Sequence, residues 1–291
     1  MPFAHLLLAL AVVAIWGTNF VVIKVGLADM PPLLFATLRF ALSALPFLAF
    51  VKRPAVAWRY LMGYGVFIGL QFALLFIAMR HDISPGLASL LIQSQVFLTL
   101  ILVALVQRER MALPQLAALV VATLGLALIA WMSFEQGHTD VTPLGLLLVL
   151  CAALSWAGSN LISRSIGKVN MLGFMVWSSL FAVPPLLVCT LWLDGPSHVI
   201  DVLPRIGWAA WLAVLWQALG NTLFGFGVWG WLLARHPAAT VTPMALLVPV
   251  FGMGASAWLL GEPLQGWKLT AFALVIGGLA LNVLAGRLRR K

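Results

Sequence analysis

Charge is what this chain has least of. Asp, Glu, Lys and Arg make up 9% of its 291 residues against 63% hydrophobic ones, and the mean hydropathy is +1.07. So few polar side chains cannot coat a soluble domain of this length, and lipid must be the solvent. The eight acidic residues fall outside the long apolar runs, which excludes a proton relay built on mid-membrane carboxylates. Cysteine is scarce too. Cys151 and Cys189 lie in apolar runs with no second pair and no metal-type spacing, so they read as core thiols, and neither a disulfide framework nor a metal site is expected. No nucleophile, carboxylate pair or metal cluster forms among His81, Asp82, Arg108, Glu109 and His236, which argues against an enzyme acting on lipid-linked substrates.

What is there is apolar length. A helix needs about 20 residues to cross roughly 30 Å of hydrocarbon. Ten stretches qualify: 5–24, 32–51, 61–79, 85–106 and 113–132, then 143–162, 171–193, 208–231, 237–260 and 267–286. Backbone in lipid must satisfy its own hydrogen bonds, so an all-α integral membrane bundle of ten transmembrane helices is predicted, with irregular backbone only beside a protected cavity. Residues 3–15 have the apolarity of a secretory signal. They lack a basic leader and run on to Val25, so an uncleaved first span is expected.

The formal charge of +9 is sided rather than clustered. Sorting loops by parity puts twelve basic residues on one side: Lys52, Arg53, Arg59, Arg108, Arg110, Arg164, Lys168, Arg235, Arg287, Arg289, Arg290 and Lys291. Lys24, Arg80, Arg205 and Lys268 lie on the other, and Arg39 sits inside a span. Basic residues favour the cytoplasmic side of short loops, so both termini are expected in the cytoplasm. The tail G-R-L-R-R-K, residues 286–291, reads as a topology anchor that meets anionic lipid, and nucleic acid is not an expected partner.

The two sets of five spans carry matching landmarks. Trp16 and Asn19 in the first span parallel Trp156 and Asn160 in the sixth, and Pro85 opens span four as Pro237 opens span nine. Glu109 closes span four as Glu262 closes span nine, and Gly125 parallels Gly278. Five is odd, so a second copy enters the membrane from the opposite side. Two inverted five-helix repeats can exchange conformations around a site near the midplane, which is a mechanism for alternating access and counts against a channel.

Inside the spans the polar residues are uncharged. Trp16 and Asn19, Trp156 and Asn160, and Gln217 and Asn221 make stripes at helical spacing on spans one, six and eight. On span four, Gln93 and Gln95 are two residues apart, about 200° of rotation, so only one can line the pathway of a straight helix. Each of these residues can line a substrate path or join helices by hydrogen bonds. Arg39 is the one charge well inside a span. It either snorkels to the surface or clamps a substrate carboxylate with its forked guanidinium. Gly65 and Gly69, with Gly220, Gly225, Gly227 and Gly230, suit close helix packing. Residues 225–230, G-F-G-V-W-G, match the dinucleotide fingerprint in letters, but no strand precedes them and no cofactor is expected. Pro46, Pro184, Pro185, Pro243 and Pro249 each remove a helix bond, and Pro243 and Pro249, with Gly252 and Gly254, make span nine a candidate moving wall.

Several segments also look like a known family. W-G-T-N-F-V-V-I-K-V-G at 16–26, M-P-P-L at 30–33, L-R-F at 38–40, G-L-A-S-L-L-I-Q-S-Q at 86–95 and L-L-V-P-V at 246–250 resemble the EamA family of the drug/metabolite transporter superfamily. Within it, bacterial exporters of cysteine and O-acetylserine are the most similar branch. The resemblance implies a multi-pass exporter of the bacterial inner membrane, moving amino acids and related metabolites, with EamA-type repeats over 1–132 and 143–291. A small-molecule substrate and membrane lipid are the expected partners, and a monomer is the expected state. Other amino acids, or aromatic and drug-like metabolites, remain open as cargo. The expected substrate-binding set is Trp16, Asn19, Arg39, Gln93, Gln95, Trp156, Asn160, Gln217 and Asn221.

Overall fold

Helix dominates because lipid leaves the backbone no other partner. The computed structural model describes residues 1–108, 113–135, 140–167 and 169–288. The first half holds α1 (Phe3–Asp29), α2 (Pro32–Ala44), α3 (Trp58–His81), α4 (Pro85–Leu91), a 3₁₀ turn (Ile92–Ser94), α5 (Gln95–Gln107) and α6 (Leu113–Phe134). The second holds α7 (Pro143–Ser165), α8 (Met171–Leu193), the short α9 (Pro196–Val202), α10 (Trp208–Leu215), a π-helical stretch (Trp216–Phe224) and α11 (Gly225–Arg235). Then follow α12 (Ala238–Val241), a 3₁₀ stretch (Thr242–Leu247), α13 (Val248–Leu260) and α14 (Gly266–Leu288). Pro32, Pro85 and Pro143 start their helices where a missing N–H costs nothing. Glu109, Arg110, Lys168, Arg289, Arg290 and Lys291, on which part of the charge sidedness rests, lie outside the described residues.

Among the described residues nine helices are long and apolar enough to cross a membrane, where ten were expected. The exception is the second. Its α-helix covers only the 13 residues Pro32–Ala44, because Pro46 has no N–H to extend the ladder and its ring crowds the preceding turn. The chain continues as looser turns, with Phe47 and Leu48 N–H both on the Ala44 carbonyl. The cysteines also depart from expectation: Cys151 and Cys189 are exposed on the lipid side of the bundle rather than in its core. Helices α7 and α8 turn their small residues inward instead, among them Ala152, Ala153 and Ala182.

The halves interdigitate. Helix α1 packs on α13 and α10, α3 on α7 and α8, α2 on α8, α4 on α13, α5 on α7, and α6 on α14. Small residues bring these axes together. A Cβ on Gly69 would lie 3.0 Å from the Ala182 Cβ, and one on Gly65 would overlap the Ser178 carbonyl.

Candidate functional site

A cavity of about 520 Å³ opens between the halves. Its blind end lies beyond the helix midpoints, at Ile23, Leu75 and Ile92, six or seven residues from the far ends of their spans. From there the walls run to Ser163, Met171, Leu233, Thr242 and Val283, all near helix ends on the face that carries the chain termini. Its size falls in the roughly 300–1,000 Å³ range of small-molecule sites. No charged side chain lines it among the described residues.

Seven of the nine predicted residues meet on this surface: Trp16, Asn19, Gln93, Gln95, Trp156, Asn160 and Asn221. Several also tie helices together, so lining and joining are not alternatives. The Asn160 amide donates to Gln95 Oε1 at 2.7 Å and to Thr99 Oγ1 at 3.2 Å, linking α7 to α5. Gln217 donates to Asn19 Oδ1 at 2.7 Å, and Gln93 to the Ala245 carbonyl at 3.5 Å. The Trp16 indole N–H donates to the Asn221 carbonyl at 3.2 Å, within the π-helical stretch that frees such groups. Gly225 leaves room for that indole, which packs against Phe226 and Trp229 at centroid distances of 5.3 and 5.2 Å.

The structure places three of these features otherwise than the sequence suggests. Gln93 and Gln95 both line the cavity, because the helix is not straight and regular there. A 3₁₀ turn advances about 120° per residue instead of about 100°, which brings positions two apart closer in direction. Gln217 is fully buried behind the wall against Asn19 and does not line the cavity. Arg39 neither lines it nor snorkels: it is 1% exposed and donates to Thr222 Oγ1 at 2.9 Å. Sequence reading missed Gln71, Tyr64, Ser163 and Asn282, which also face the cavity. The lone amides of spans three and ten meet the same criterion that singled out Gln93.

The opposite face is shut. Lys268, with no exposed side-chain surface, pairs with Glu262 at 3.1 Å and Asp140 at 3.2 Å. Glu262 reaches across to the start of α4, accepting from Ser84 Oγ at 2.6 Å and Gly86 N–H at 3.0 Å. The left-handed turn at Gly261, φ 67°, aims it there. Ser84 N–H donates to the Asp140 carbonyl at 2.8 Å, and Thr142 Oγ1 to Asp82 Oδ1 at 2.9 Å. Lys24 Nζ caps the end of α3 by donating to the Met79 and Arg80 carbonyls at 3.1 and 3.0 Å.

On the open face, His5 Nδ1 and His236 Nε2 lie 2.7 Å apart, joining the start of α1 to the end of α11. One ring must donate and the other accept, so the contact needs one neutral imidazole. Partial burial, then the charges of His5, the N-terminal amine and Arg235, hold the His236 pKa below its usual 6.5. A lowered imidazole pKa means that the contact is intact above pH 6.5 and is lost as pH falls through the range beneath it. Acidification from pH 7.5 to about 5.5 is expected to lower the unfolding temperature slightly, and His236→Gln to flatten that dependence, as followed by thermal unfolding in detergent.

A lipid-solvated helical bundle with a central uncharged cavity, open on one face and bolted on the other, has the architecture of a membrane transporter. The chain belongs to the EamA-like transporter family, whose sequence profile matches residues 4–131 and again 143–284. A relative from Salmonella typhimurium, described as "Probable amino-acid metabolite efflux pump", is 42% identical over 288 residues, covering 97% of this chain and 96% of its own. Its Escherichia coli K12 counterpart, of the same description, is 41% identical with the same coverage. A solved crystal structure superposes over all of both chains with a TM-score of 0.65 at 19% identity, a likeness of fold alone. The chain is a multi-pass protein of the bacterial inner membrane, the membrane that takes helical bundles while the outer one takes barrels.

Proposed function

We propose that this protein exports amino acids and related small metabolites, of the cysteine and O-acetylserine kind, by alternating access between inverted repeats spanning 1–132 and 143–291. The observation that carries the reading is the cavity itself: uncharged among the described residues, lined by amides and indoles, and reaching the helix ends of one face. With the termini in the cytoplasm, as the sided Lys and Arg favour, that opening faces the compartment from which cargo is exported. Trp16, Asn19, Gln93, Gln95, Trp156, Asn160 and Asn221 form the wall that cargo meets, while Arg39 and Gln217 support it from behind. The double match of the family profile supports two related halves, and a cavity enclosed by one chain supports a monomer as the working unit. The names of the relatives support amino-acid metabolites as cargo. The Trp16, Phe226 and Trp229 cluster favours a second reading, in which aromatic or drug-like metabolites are carried.

Counterflow tests the reading. Proteoliposomes preloaded with unlabelled cysteine or O-acetylserine are expected to take up the labelled compound several times faster than empty ones. A conductance without counterflow would indicate a channel, and movement of aromatic amines alone would favour the second reading.

A further inference from the structure

Arg39 is a buried cation without a counter-ion. It sits in the middle of α2, 1% exposed, with a single hydrogen bond, to Thr222; its Nε and second terminal nitrogen have no partner. Among the described residues no Asp or Glu lies within a membrane-spanning helix except Asp29, the last residue of α1. An unpaired charge in such a place is costly, and none of the described residues neutralises it. Two aromatic faces offset part of that cost. The guanidinium carbon lies 3.5 Å from the Phe72 ring centroid and 4.9 Å from that of Phe40.

Phe72 also lines the cavity, so one ring separates the cation from the space that cargo enters. Next to it on α3, Gln71 lines the same cavity, is 2% exposed, and leaves its Oε1 without a hydrogen-bond partner. A buried carbonyl with no donor and a buried guanidinium with no acceptor are the two halves of what a zwitterion supplies.

We propose that Phe72 covers an occluded carboxylate subsite: when its ring swings aside, Arg39 takes the carboxylate of the cargo, and Gln71 Oε1 accepts from the ammonium group. The proposal rests on the reading of the chain as an amino-acid exporter. Covering the cation keeps it dry and paired with an aromatic face while the cavity is empty. Uncovering it ties the movement of α3 to the arrival of an anion. Because the subsite is open only part of the time, apparent affinity is reduced by the fraction that is open.

The test uses the full chain in proteoliposomes, with labelled cysteine counterflow and two competitors, cysteine and its decarboxylated analogue cysteamine. Wild type is expected to prefer cysteine by about 10- to 100-fold, the range of a buried charge-assisted pair. Arg39→Met should bring that ratio close to one, Arg39→Lys should restore part of it, and Gln71→Leu should weaken both competitors alike. Phe72→Ala should lower the KM for cysteine, because the cover is gone; a ring that merely touched cargo would raise it. If wild type moves no cysteine, the amino-acid reading fails first. If it moves cysteine but does not discriminate, or if Arg39→Met keeps the discrimination, the subsite is wrong and the export reading stands. Should Arg39→Met not fold, a raised KM in Phe72→Ala overturns the subsite by itself.

Discussion

Replacing Lys268 by methionine is expected to unbolt the closed face. The lysine stands between two carboxylates, Glu262 and Asp140, and among the described residues it is the one cation paired with either. Without it the two acids face each other, with Glu262 side-chain exposure at 7%, so the cost falls on the closed arrangement. Removing one partner of a buried pair typically costs about 3–5 kcal/mol. In the open arrangement the acids separate and hydrate, and the cost disappears there. The balance therefore moves toward opening by about 10²–10⁴-fold. Leu75→Cys reports this directly, since Leu75 is 1% exposed at the blind end of the cavity. With Cys151 and Cys189 replaced, a membrane-impermeant maleimide confined to the Lys268 side should label Leu75→Cys slowly in the parent and rapidly with Lys268→Met. Lys268→Arg should label slowly, as the parent does. Unchanged labelling together with a lower unfolding temperature would make the cluster a structural tie and not a gate.

That cluster was half visible in the sequence. Glu262 stood out as a landmark at the end of span nine, and Lys268 as an outer-side charge, but residues 140, 262 and 268 meet only once the bundle is assembled. The spans themselves were legible because lipid imposes one length and one element, and eight of the ten extents matched helices to within a few residues. The two that behaved differently did so for local reasons. Pro46 broke the second span, and the ninth begins with four α-helical residues and a 3₁₀ stretch around Pro243. Site residues were legible as a type, since an amide in a span needs a partner or a cavity. Their individual places were not. Gln217 and Asn221 share a stripe by spacing, yet one is sealed against Asn19 and the other faces the cavity. Depth along the axis and the neighbouring helix decide that, and periodicity carries neither. Arg39 shows the same limit: its choice between surface and substrate was framed by sequence, while the aromatic cover that makes a third arrangement comes from α3.

Gly17→Ala is expected to be among the most damaging small changes in the molecule. Gly17 lies where α1 crosses α13, and an added Cβ would stand 2.5 Å from both the Val248 carbonyl oxygen and the Phe251 Cβ, and 2.9 Å from Gly252 N. None of these atoms is the end of a flexible side chain, so the helices themselves must part. Overpacking of this kind costs about 1–3 kcal/mol even when the surroundings yield. Here they yield poorly, because Gly252 is itself packed closely against the Ser89 side chain of α4. Ser89 Oγ is in turn bonded to the Gly86 carbonyl at 2.7 Å, one residue into the turn that Glu262 holds. A displaced α13 therefore disturbs the same helix start that closes the far face. Gly17→Ala should lower the unfolding temperature by several degrees, and Gly17→Leu should leave little folded protein in the membrane fraction. Two comparisons keep this falsifiable. Adding Phe251→Ala to Gly17→Ala trims the ring but keeps the Phe251 Cβ and both backbone contacts, so it should not rescue. Gly254→Ala on the same α13 has nothing within 4 Å of the new Cβ and should be neutral, or slightly stabilising through the lost glycine entropy. Full rescue by Phe251→Ala, or equal damage from Gly254→Ala, would show that close approach of backbones at Gly17 is not what holds α1 to α13.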